Sequence, residues 1–247
     1  MRRIAALLLF AFAVAGSGCS ESSKTLAPIV RPTGPAPSSP AGVIRLFEWC
    51  WENRAIDEYE TIFTDDFRFL FATGDSAGNA YRDAPWTRED ELACARRLFV
   101  GDTDHAPASD IQLDFDRTLI ALNDDRPGKD PGWHRSIRTK VNLKVTIDRG
   151  AGPEVNEVNG YAKFYVVRGD SAAIPPELAA RGFQPDPNRW WIERWEDETL
   201  PPGGTAVAPV VESSSVTRRG SRPAAANPAP NPIYVESTFG RVKLKGL

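Results

Sequence analysis

Apolar residues recur three and four positions apart between Val43 and Trp51. Val43, Leu46, Phe47, Cys50 and Trp51 form one stripe, with Arg45, Glu48, Glu52 and Asn53 opposite it. This predicts a first helix beginning after Ser38-Ser39, with Pro40 suited to its first turn. Ile56, Tyr59, Ile62 and Phe63 repeat the spacing and predict a second helix, with Asp57 as its N-cap and Glu60 as the box partner. The period then shortens. Phe67, Phe69 and Phe71 alternate as a strand requires, so helix gives way to strand at Thr64-Asp65-Asp66. A loop with Gly74 and Gly78 leads to a third helix after Thr87, whose spacing to Asp90 is that of a capping box. Leu92, Ala95 and Phe99 mark its apolar side, widened by Cys94 and Leu98.

The second half reads as strands. Residues 111–122 alternate at first, and 124–132 form a polar turn. Residues 135–148 carry the cleanest alternation. Ile137, Thr139, Val141, Leu143, Val145 and Ile147 take one face, and Arg138, Lys140, Asn142, Lys144 and Thr146 take the other. Such a pattern predicts an antiparallel strand with one wet face. Residues 155–167 and 189–198 complete the sheet, joined by a long connection with a short helix at 177–181. The expected class is α+β: three N-terminal helices packed on a curved antiparallel sheet.

Outside residues 41–200 the periodicity stops. Residues 1–18 read as a secretion signal, with Arg2 and Arg3 ahead of an apolar run from Ile4 to Ala15 that is too short to span a bilayer. It ends in Gly16-Ser17-Gly18-Cys19, which resembles a bacterial lipobox. The resemblance implies acylation of Cys19, a membrane partner reached through that lipid, and a place on the periplasmic side of the outer membrane. An ordinary signal peptide followed by a chance cysteine is the alternative. Residues 19–40 form a Ser/Pro-rich spacer, and 201–247 a low-complexity tail. Both are expected to be disordered, because they bury too little apolar surface to offset the entropy of ordering. The segment 233–247 is the exception: Ile233, Tyr234, Val235, Phe239, Val242 and Leu244 give it enough apolar positions to dock.

Charge divides along the same boundaries. The chain of 247 residues carries −3 overall; the signal holds +2, the spacer +1 and the tail +4, which leaves the body at −10. An acidic body does not suit nucleic acid, which calls for a basic footprint. The basic tail suits anionic lipid, the body's own acidic surface, or solvent. Two histidines and no CxxC pair argue against a zinc site, and no cofactor motif appears, neither a Gly-rich phosphate loop nor a nucleophile elbow. With Cys19 lipidated, Cys50 and Cys94 remain. They bridge if their helices pack with Cα atoms within about 7 Å; otherwise they are two small buried thiols.

Residues 43–198 resemble the nuclear transport factor 2-like superfamily, the cone-shaped fold shared by ketosteroid isomerase and polyketide cyclases. The resemblance is carried by the first-helix stripe, by Ile56-Asp57-Glu58-Tyr59 running on to Ile62-Phe63-Thr64-Asp65-Asp66, by the third helix, and by Trp190-Trp191-Ile192-Glu193-Arg194-Trp195. It implies a cone lined by Phe47, Tyr59, Phe69, Phe71, Ile137, Thr139 and Val141. It also places the isomerase general base at Phe71 and the oxyanion tyrosine at Phe47. Neither phenylalanine moves a proton or donates to an enolate. Asp65-Asp66 reads as a helix end and turn, its carboxylates on local amides. Asp114, Asp116 and His134 are the remaining catalytic candidates, against a plain reading as loop and rim residues in water.

The outer sheet face offers a contact surface. Arg138, Lys140, Tyr161, Tyr165, Trp191 and Trp195 are its candidates, mixing aromatic rings with long basic stems. Relatives often dimerise through this face, so a homodimer is expected unless the tail covers it. The sequence thus favours a non-catalytic, lipid-anchored envelope module that binds a small molecule or a protein. A cyclase- or dehydratase-like enzyme and a purely structural envelope lipoprotein are the alternatives.

Overall fold

The computed structural model describes residues 33–148, 150, 152–199 and 232–245. The expectations for the signal peptide, for Cys19, for most of the spacer and for the first part of the tail lie outside the described residues.

Helix α1 spans Pro40–Asn53, capped by Ser39, whose side chain accepts from the Gly42 amide at 2.9 Å. It buries Val43, Ile44, Leu46, Phe47, Cys50 and Trp51, the stripe read from the spacing with Ile44 added. Helix α2 is shorter than its pattern, Ile56–Tyr59, and its N-cap position is Ala55 rather than Asp57, with no side-chain cap. Strand β1 begins at once, over Phe63–Leu70. Asp65 and Asp66 therefore lie within a strand and not at a turn, both exposed. The register between β1 and its neighbour shifts between Phe63 and Arg68, and the Asp65 amide reaches out to the Ala173 carbonyl at 2.8 Å. Between those positions β1 advances five residues, Phe63 to Arg68, while its neighbour advances two, Ile192 to Arg194, an irregularity that bends the strand out of the ladder.

A short 3-10 turn over Ser76–Tyr81 and strand β2, Trp86–Thr87, lead to helix α3, Arg88–Phe99. Thr87 and Asp90 form the capping box that their spacing predicts. Strands β3 (Asp110–Phe115), β4 (Ala121–Asn123), β5 (His134–Asp148), β6 (Pro153–Arg168) and β7 (Trp190–Thr199) follow, with helix α4 at Pro176–Ala180. The expected single strand over 111–122 is two, β3 and β4, separated by a break, and both pair with β5.

The sheet runs β2-β1-β7-β6-β5-β3, with β1 parallel to β7 and the longer pairings antiparallel. It is curved and unclosed, in a mixed α+β arrangement. Strand β5 buries Ile137, Thr139, Val141, Leu143, Val145 and Ile147 and turns the alternate positions outward. Cys50 and Cys94 are separate buried thiols, so the bridge considered from sequence is not formed. Burial pushes both thiols far above their usual range.

The C-terminal segment, offered by its apolar positions as a docking piece, adds two further elements. Residues Ile233–Ser237 form strand β8, and Phe239–Lys245 form helix α5. Strand β7 pairs with β6 from Gly160 to Arg168; β8 pairs with it, in parallel, from Glu154 to Val158. The tail strand thus takes up the part of the β6 edge that β7 leaves open, which satisfies a row of backbone groups that would otherwise be exposed.

Candidate functional site

The concave side of the sheet, α1 and α3 enclose an aromatic interior. Phe47 sits at its centre, fully buried, with ring centroids at 5.0 Å from Trp195, 5.3 Å from Phe164 and 5.5 Å from Tyr59. Tyr59, Phe69, Ile137, Thr139 and Val141 face the same interior, all buried, and Phe71 stands half-buried at the rim. The cone-lining residues expected from the resemblance are brought together.

What fills the mouth is the protein's own C-terminal segment. Phe239 packs edge-on against Trp195 at 4.7 Å and Trp51 at 5.7 Å. Val242 is fully buried beside it. The side chain of Lys243 enters the interior with no exposure. Its ammonium bonds to the Glu91 carboxylate and lies 3.9 Å from the Trp195 ring centroid and 4.1 Å from that of Phe69. Glu91, equally buried, also accepts from the Tyr59 hydroxyl at 2.7 Å and from the Trp86 indole at 3.1 Å. Trp51 in turn donates to the Tyr59 oxygen at 3.2 Å. Burial pulls the Lys243 ammonium below the usual lysine range, against the pull of the Glu91 charge. Burial, then Glu91, holds the Tyr59 hydroxyl well above its own.

A second buried acid anchors the same segment. Asp197 accepts from the Thr199 amide at 2.9 Å and the Gly240 amide at 3.0 Å, and burial raises its pKa despite these bonds. Further out, Asp75 receives Arg241 at 3.0 Å and the Thr238 hydroxyl, and Lys245 reaches Glu154. The tail's cations meet the body's acids, one of the three fates that the charge division allowed.

The other candidates fall elsewhere. Asp114 and Asp116 are exposed on or just past β3; Asp116 accepts from the Lys140 amide at 2.8 Å. His134 lies at the start of β5, paired with Val167, its ring 3.3 Å from the Asp130 carbonyl. The register sets Asp114 opposite Asn142, far along β5 from His134, so the three are not assembled into one site.

The proposed outer-face set also divides. Tyr161 remains exposed under the Arg138 guanidinium, 3.8 Å from its ring centroid, and Lys140 is exposed nearby. Tyr165 is covered: Arg126 stacks on its ring at 4.2 Å, held there by Asp124 and Glu193. Trp191 and Trp195 are both fully buried, on opposite sides of the sheet. Between Tyr165 and Val166 the β6–β7 register shifts by one residue, at Glu193. Such a shift reverses the faces of everything beyond it. Trp195 therefore joins the interior, whereas Trp191 packs with Val167, Leu178 and Phe183 beneath the connection from β6 to β7.

An open cleft of about 510 Å³ borders the closed cone. Arg68 and Arg194 contribute from β1 and β7, Arg82 from the loop after the 3-10 turn, and Phe71 and Tyr81 supply a stacked ring pair 5.0 Å apart. Gly78 is required here, because a Cβ on it would come within 2.4 Å of Phe71. Neither this cleft nor the Glu91–Lys243 pair follows from the strand and helix periods alone. The signals were a carboxylate at 91, in step with Cys94, Ala95 and Leu98, and a lysine at 243, one helical turn from Phe239.

The fold has known counterparts. Several solved structures resemble it, two of them described as nuclear transport factor 2-like. A scytalone dehydratase-like protein from Novosphingobium aromaticivorans is 10% identical, over 62% of this chain and 76% of its own, with a TM-score of 0.40. A protein of unknown function in nutrient uptake from Rhodospirillum rubrum is 13% identical over 64% and 95%, with a TM-score of 0.39. A superfamily member from Salmonella enterica serovar Typhimurium is 10% identical over 68% and 92%, also at 0.39. No family model and no curated protein sequence matches the chain. The likeness concerns the fold alone, and no residue role is carried across from it.

Proposed function

We propose that this chain is a lipid-anchored cell-envelope module that binds and does not catalyse. The observation that carries the reading is the closed interior: the cone is filled by aromatic rings and by Phe239, Val242 and Lys243 of the same chain, and its two acids are already engaged. Reacting groups need access to substrate and a path for protons, and Glu91 and Asp197 have neither while the tail is docked. The accessible concavity is the neighbouring cleft. Arg68 and Arg82, beside an Arg194 already bonded to Glu196, and the stacked rings suit a planar, anionic ligand, since Arg pairs with carboxylate or sulfonate while ring faces take up the apolar part. The anchor rests on Gly16-Ser17-Gly18-Cys19, and the exposed Arg138, Lys140 and Tyr161 are the remaining contacts for a second copy.

The test combines two measurements. Naphthalene-2-sulfonate titrated into the protein shifts the NMR signals of the Tyr81 and Phe71 region, and the double change Arg68→Ser, Arg82→Ser removes the response. Shifts that persist in the double variant, or none in the wild type, defeat the cleft assignment. Metabolic labelling with a palmitate analogue marks the wild type and not Cys19→Ser, and label retained by the variant defeats the anchor.

A further inference from the structure

The side chain of Lys243 is an unusual core occupant. Replacing a buried ion pair by apolar side chains of similar volume is often neutral or stabilising, so a charge pair at the centre of a core is not explained by stability. The surroundings of this ammonium are those of a receptor. Trp195 and Phe69 present rings at 3.9 and 4.1 Å, Trp86 adds a third at 5.8 Å, and Glu91 supplies the counter-charge. Glu91 is itself fixed by Tyr59 on one carboxylate oxygen and by Trp86 on the oxygen that also receives the lysine, so the carboxylate is held in place by side chains of the frame. Asp197, buried and bonded to the Gly240 amide, is a second acid that holds the same C-terminal segment. Aromatic rings around a cation, closed by an acid, are the recurring solution for recognising organic ammonium groups.

The occupant arrives on a separable piece of chain. The strand that brings it is five residues long and lies at an edge, where it adds to β6 as a bound peptide would. The helix that follows has seven residues. Neither forms part of the frame on which the cage is built: Phe69 belongs to β1, Trp86 to β2, Glu91 to α3 and Trp195 to β7.

We propose that the cone is a binding site for an organic ammonium group, a primary or methylated alkylamine, and that Lys243 is its occupant in cis, so that ligand entry and release of the C-terminal segment are one exchange. This goes beyond the reading of the arginine-lined cleft and does not rest on it: the two sites take ligands of opposite charge and use different side chains apart from Phe69 at their boundary. A free amine and the lysine of a peptide share the chemistry, and the experiment separates them.

The full-length wild type is followed by amide hydrogen exchange with increasing tetramethylammonium or n-propylammonium chloride, against sodium chloride at the same ionic strength. Exchange over 233–245 is expected to rise saturably, by about tenfold or more, with the organic cations alone, because local opening is read directly as exchange. The second arm uses Lys243→Ala, which removes the propylammonium part of the side chain. n-Propylammonium should raise its Tm saturably or, if the variant is unfolded, restore its near-ultraviolet signal; 1-propanol and propionate should not. Adding Glu91→Gln should abolish that rescue. A peptide of residues 232–247 added to Lys243→Ala together with n-propylammonium then shows whether a peptide lysine outcompetes the free amine. Exchange equal in organic and sodium salts overturns the proposal. So does equal rescue by propanol, or rescue that survives Glu91→Gln.

Discussion

Glu91 and Lys243 are fully buried partners, and each depends on the other. Removing one leaves an uncompensated charge in a closed interior. Glu91→Gln should therefore cost about 3–5 kcal/mol, while Glu91→Gln combined with Lys243→Met should recover most of it. Urea denaturation of the four proteins measures the coupling; independent, additive costs would contradict the pairing. The pH dependence carries a defined sign. Burial lowers the folded-state pKa of Lys243 below the ordinary 10.5. Between the two values the unfolded chain binds more protons, so stability rises with pH through that window and levels off at its upper edge. Tyr59 acts oppositely at higher pH: its raised pKa keeps the folded hydroxyl protonated after a free tyrosine ionises, which lowers stability there. The difference in stability between wild type and Lys243→Met across alkaline pH isolates the lysine. A difference that does not change with pH would contradict the depressed value.

At the level of elements, β8 is the piece whose contribution separates most cleanly. It covers the β6 edge from Glu154 to Val158, beyond the last pair of β7. A proline in a strand removes a donor and disturbs pairing. Val235→Pro, opposite Asn156, is expected to release the segment and raise amide exchange both at 154–158 and at 239–245, leaving β5 protected; protection retained at 239–245 would show that α5 docks without its strand. The elements also show where sequence was legible. The alternation of Ile137 to Ile147 predicted β5 nearly residue by residue, because burial on one face only leaves a strong signal of period two. Ser39-Pro40 and Thr87-Asp90 marked two helix starts, because a cap is local chemistry. Two of the errors fall where the register between strands shifts. Phe63 fits both the helical spacing from Tyr59 and the alternation to Phe67, and pairing of β1 with β7 decides for strand. The extra residue at Glu193 sends Trp191 and Trp195 to opposite faces, and a register shift leaves no mark in a period of two. The ammonium cage was illegible for another reason: its rings and its acid come from four separate elements, and only the fold brings them to one point.

Over the whole molecule, the division of charge becomes an internal attraction. An acidic body meets a basic C-terminal segment through Arg241–Asp75, Lys243–Glu91 and Lys245–Glu154. The three pairs are not equivalent. Arg241 and Lys245 keep part of their side chains in water, where about 8 Å of screening length at physiological salt weakens their attraction; the Lys243 pair is sealed from solvent. Apolar contact adds to it, since Phe239 covers Trp51 and Trp195 and Val242 is buried in the same core. A chain ending at residue 231 should therefore expose an aromatic mouth, bind the uncharged dye Nile red at a site that the intact chain keeps shut, and lose Tm. A synthetic peptide of residues 232–247 should displace that dye and restore Tm. The unequal pairs predict how it does so. Raising sodium chloride should weaken the peptide only a few-fold, since salt acts on the two outer pairs, whereas a peptide carrying Lys243→Ala should lose about 2–5 kcal/mol, roughly 30-fold to several thousand-fold in Kd. A steep dependence on salt together with indifference to Lys243 would place the attraction at the surface and leave the buried pair without a part in holding the segment.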